Sequence, residues 1–131
     1  MTLSLLLPYP PSTNRLWRQV RGRMVLSAAA LAWKAAATWQ ARLSAQAQRY
    51  RAPAGPVEAL LILHPRLTKA GKPSQIRLDV DGPIKIALDA LQGVAYANDK
   101  QVTCLTARVG APLPEGGLTV QVKAMDQESK P

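Results

Sequence analysis

The chain has 131 residues, 47% of them hydrophobic and 19% charged, which fits one domain with an ordinary core and excludes global disorder. Seventeen Lys+Arg against eight Asp+Glu give a formal net charge of +9, which favours polyanionic partners, nucleic acid above all. A single cysteine, Cys104, rules out an intrachain disulfide and suits a reducing compartment. No window approaches the ~18 apolar residues of a membrane span, and Met1–Leu7 lacks a signal peptide's basic start. A soluble, cytoplasmic protein without a membrane partner is expected.

The apolar run Thr2–Leu7 predicts a strand that stops at Pro8. Pro8, Pro10 and Pro11 enforce a stiff extended segment, because each fixes φ and lacks an N–H. Residues 12–23 carry Arg15, Arg18, Arg21 and Arg23 without an acidic residue: a solvated basic loop, a hairpin around Gly22, or a phosphate contact. Ser27 is a natural N-cap for a helix from Ala28 to about Tyr50, with Leu31, Ala35, Trp39, Leu43 and Ala47 at helical spacing as its expected buried stripe. Trp33 and Trp39 read as packing residues.

Val57–His64 predicts a second strand with Val57, Ala59, Leu61 and Leu63 on one face. His64, at its end, reads as a surface or capping residue rather than a base. Residues 66–77 form a polar loop with Lys69, Lys72 and Arg77 as further candidate DNA contacts. From Pro83 to Gln92 the spacing is helical, with Ile84, Ala87, Leu88 and Leu91 sharing a face and Gly93 at the C-terminal end. Val102–Val109 and Leu118–Ala124 predict two strands, and residues 110–117 permit an antiparallel hairpin between them. Cys104 is expected to be a buried structural thiol. The order β-α-β-α-β-β predicts a single α/β domain with a small mixed sheet over residues 1–125, and a disordered polar tail at 126–131.

Asp79 and Asp81 stand two apart, so in an extended segment they point to the same side. Like charges that close repel unless a cation sits between them, and hard cations such as Mg²⁺ take carboxylate oxygens. The plainer alternative stays open: Asp81 as a helix cap and Asp79 as a partner of Arg77 or a loop lysine. Lys85 falls one turn after Asp81, placed either to pair with it or to meet a phosphate. Asp89 lies a further turn along, and Asn98-Asp99 taken alone is a turn.

Together these segments resemble the RusA family of Holliday-junction resolvases, small endonucleases of bacteria and their prophages. One block is Leu7-Pro8-Tyr9-Pro10-Pro11-Ser12-Thr13-Asn14-Arg15, followed by Arg21-Gly22-Arg23 and Ser27. The other runs from Asp79 through Asp81, Lys85 and Ala90-Leu91 to Asn98-Asp99-Lys100-Gln101-Val102, and is similar to the family's D-x-D-N-x-x-K, D-A-L and D-D-x-Q-V. The resemblance implies a homodimer that nicks four-way junctions symmetrically in recombination and repair. It implies Asp79, Asp81 and Asp99 as ligands for one or two Mg²⁺, and Lys85 as a catalytic cation. Gly82 stands where the family has Asn, and Asn98 where it has the first Asp of D-D. A non-catalytic basic DNA-binding protein is the alternative.

Overall fold

Strict alternation of buried and half-buried positions along residues 57–64 fixes which face of the sheet carries the core. In the computed structural model, which describes residues 1–12, 16–71 and 81–125, this strand is β4 (Val57–His64). It lies among β1 (Thr2–Leu7), β6 (Gly117–Ala124) and β5 (Val102–Val109) in the order β1-β6-β4-β5. β6 runs antiparallel to both β1 and β4, whereas β5 is parallel to β4, so the sheet is mixed. The register stacks Leu7, Leu118 and Leu63 in one row, then Leu5, Val120 and Leu61, then Leu3, Val122 and Ala59. These rows form the core face.

Helices α1 (Ala28–Ala47) and α2 (Asp81–Leu91) pack on that core. Ser27 caps α1, its Oγ accepting from the Ala30 N–H at 3.1 Å. The two helices are joined where the Thr38 hydroxyl donates to the Ala90 carbonyl at 2.8 Å. Polar side chains of α1 also cover the outer edge of β1. Gln40 donates to the Leu6 carbonyl, and Gln48 both donates to the Ser4 carbonyl and accepts from its N–H. These bonds occupy edge groups that could otherwise pair with another strand. Between β1 and α1 a separate hairpin, β2 (Trp17–Val20) and β3 (Arg23–Leu26), turns at Arg21-Gly22.

The β-α-β-α-β-β order and the mixed sheet therefore hold, with the hairpin added. Three local expectations fail. The buried side of α1 is Ala30, Trp33, Ala37 and Ala41, while Leu31, Trp39 and Leu43 face outward. α1 is apolar around most of its circumference, so spacing alone selects no unique face; the alanine side wins because it permits close approach to the sheet. β5 and β6 are not hairpin neighbours, because β4, the strand with four fully apolar inward positions, sits between them. Cys104 is exposed, since β5 is the far edge strand and Cys104 pairs with Glu58, on the face opposite the core. Among the described residues no helix is long and apolar enough to cross a membrane. The tail beyond Met125 lies outside the described residues.

Candidate active site

α2 begins over the His64 end of the sheet, where Pro83 and Ile84 meet Leu61, Leu63 and Leu118. Pro83 is tolerated there because the first helical turn needs no N–H from it. The helix backbone starts at Asp81, and exposed Lys85 stands one turn further on. Asp79, Arg77, Lys72 and Arg15 lie outside the described residues, as does the side chain of Asp81.

The other end of α2 is built around Tyr96. Its ring is fully buried and its hydroxyl donates to the Leu88 carbonyl at 2.7 Å. Burial raises the Tyr96 pKa well above the ordinary phenol value, and the nearby carboxylates of Asp99 and Asp89 raise it further. Tyr50 donates to the Ala95 carbonyl at 2.6 Å, and burial raises its pKa too.

Asp99 opens a 3-10 turn, Asp99–Gln101, immediately before β5. Its N–H donates to the Gln92 side chain at 3.0 Å, which anchors it beside the last turn of α2. Asn98 caps the turn by accepting from the Lys100 N–H at 2.9 Å. Gln101 closes the box: its Oε1 accepts from the N–H groups of Ala97 and Asn98, and its Nε2 donates to the Pro53 and Gly55 carbonyls. The amide at position 98 thus serves backbone geometry. Gln101 and Gln92 place Asp99 through bonds to the backbone. Only the capping-box spacing of Asn98 and Gln101 hinted at this.

Asp81 starts α2, and the Asp99 N–H is tied to the Gln92 side chain just past its end. Among the described residues no group of three His, Cys, Asp or Glu could hold a metal ion. The donor set is nevertheless all oxygen, which suits a hard cation.

The basic hairpin is in place. Arg18 and Arg23 are exposed on the same face of β2–β3, and exposed Arg21 sits in the turn with φ 51°, beside Gly22 at φ 76°. Two left-handed residues make this a hairpin-favouring turn, and a non-glycine there is strained. Lys69 is exposed in the loop after β4. Among the described residues the only ion pair joins Lys123 to Glu58, so these cations have no carboxylate partner there. His64 is held at both ring nitrogens, by the Ala111 carbonyl at 2.7 Å and the Thr119 hydroxyl at 2.6 Å, which suits a structural residue. Arg66 stacks on Tyr9, its guanidinium 4.5 Å from the ring centre.

The fold is thus a small mixed α/β domain with an exposed basic hairpin beside its sheet. The family model for endodeoxyribonuclease RusA matches residues 8–123. The chain is 32% identical over 116 residues to the crossover junction endodeoxyribonuclease RusA of Escherichia coli O139:H28 (strain E24377A / ETEC), covering 88% of each chain. It is 33% identical over 129 residues to the protein of the same name from Shigella sonnei (strain Ss046), covering 97% of this chain and 98% of that one. The chain belongs to the RusA endodeoxyribonuclease family.

Proposed function

We propose that this protein is a Mg²⁺-dependent, structure-selective endodeoxyribonuclease that resolves four-way DNA junctions by paired symmetric nicks, acting as a homodimer in recombination and repair. The reading is carried by similarity to crossover junction endodeoxyribonucleases along almost the whole chain, including the segments with Asp79, Asp81, Lys85 and Asp99. The charge of +9 and the exposed arginines of the hairpin support it.

The substrate itself supports a dimer. A two-fold axis then creates two equivalent sites, which suits a substrate needing two cuts. When bound, Mg²⁺ supplies positive charge to a phosphoryl oxygen and acidifies the attacking water. Lys85, exposed one turn into α2, stabilises charge developing on the phosphate. Arg15, Arg18, Arg21, Arg23, Lys69, Lys72 and Arg77 hold the junction arms through phosphate contacts.

A synthetic four-way junction incubated with Mg²⁺ tests this. Paired nicks near the crossover are expected from the wild type. Asp81→Asn should lower cleavage at least a hundred-fold while leaving the mobility shift in place. Retained cutting by that variant overturns the metal assignment. A shift without product from the wild type identifies a non-catalytic DNA-binding protein instead.

A further inference from the structure

The outer side of α1 presents an apolar stripe that no described element covers. Leu31 is 54% exposed, Trp39 63% and Leu43 49%, spaced four residues apart with exposed Ala35 between. A shallow depression of about 400 Å³ on this side is lined by α1 alone, with Lys34 and Arg42 beside Trp39. A tryptophan and two leucines exposed in one row mark an interaction surface.

Charge indicates the partner. Residues 1–57 contain eight Lys+Arg and no Asp or Glu, whereas residues 58–131 contain nine and eight. Nearly the whole positive excess therefore belongs to the segment that forms β1, the hairpin and α1. A second copy packing through its own α1 would bring more cations, and residues 1–57 hold no carboxylate to meet Lys34 and Arg42. A polyanion neutralises them. An exposed indole flanked by cations is also the arrangement that binds single strands: the ring stacks on a base and the cations track the phosphates. Paired bases in a duplex offer no free face to such a ring.

We infer that the outer face of α1 binds unpaired DNA, with Trp39 stacking on a base and Lys34 and Arg42 holding the flanking phosphates. Leu31 and Leu43 extend the platform along the sugars. The inference rests on the chain being a DNA enzyme, and adds a surface for strands opened at a branch, separate from the carboxylate segments.

The test is fluorescence anisotropy with a labelled oligothymidine about a dozen nucleotides long, and with the same strand made of abasic units. Chelator is present, so metal and cleavage play no part. Trp39→Ala should weaken oligothymidine binding roughly ten-fold and leave binding to the abasic strand nearly unchanged. Arg42→Gln should weaken both strands, and its salt slope should fall by about one ion. Wild-type affinity for oligothymidine in the Trp39→Ala protein overturns the inference. So does an equal loss on both strands, or a sedimentation shift to smaller species without any change in DNA binding, which identifies a protein interface. Failure of junction cleavage by the wild type would instead count against the enzymatic reading, and leaves this measurement intact.

Discussion

Tyr96 links a candidate ligand to the core through a single side chain. Its buried hydroxyl bonds the Leu88 carbonyl of α2, and Asp99 lies close enough to disfavour its ionisation. The native state therefore holds this phenol protonated, as it does Tyr50. In the unfolded chain both ionise near pH 10. Their contribution to stability is complete below that value and declines as pH rises above it, because the unfolded state then gives up protons that the folded state retains. Phenolate absorbance from Tyr50 and Tyr96 should thus appear together with loss of the helical circular dichroism signal. Tyr96→Phe should shift the alkaline midpoint upward, and an unchanged midpoint would refute the role assigned to this hydroxyl. Asn98 has a comparable lesson. An amide at this position caps the turn that presents Asp99, so the departure from the family's aspartate keeps the local geometry.

At the scale of elements, α1 is where periodicity misleads. Its sequence offers an alanine side and a leucine–tryptophan side, and hydrophobicity favours the second. Packing on a sheet favours the first, because Ala30, Ala37 and Ala41 let the helix backbone approach closely while Trp33 reaches the Pro8 carbonyl at 3.0 Å. Ala37→Leu should therefore destabilise by about 1–3 kcal/mol through overpacking. Ala36→Leu, on the exposed side, should stay within about 0.5 kcal/mol in urea denaturation. Equal effects at the two positions would mean that the face is wrongly assigned. The strands were more legible than the helix. In β4 and β6 a period of two leaves no ambiguity about which residues go inside. Their neighbours were not legible, since the pairing of β5 with β4 rather than β6 depends on contacts between distant segments.

For the whole molecule, the proposed homodimer makes a distinct prediction about assembly. Asp81→Asn protein should be inactive alone. Mixed equally with wild type and allowed to exchange subunits, it should give half mixed dimers, each with one intact site, so single nicks should appear beside paired ones. Paired nicks alone after verified exchange would overturn the homodimer reading. Composition and residue order determined by themselves that this is a basic, single-domain α/β protein of the RusA family, because charge balance, strand alternation and motif order are properties of the chain read locally. Tertiary structure decided which side of α1 is buried, which strands are neighbours, and that Asp99 is anchored to the Gln92 side chain beside the end of α2. Those outcomes depend on how closely distant backbones approach, and no local spacing encodes that.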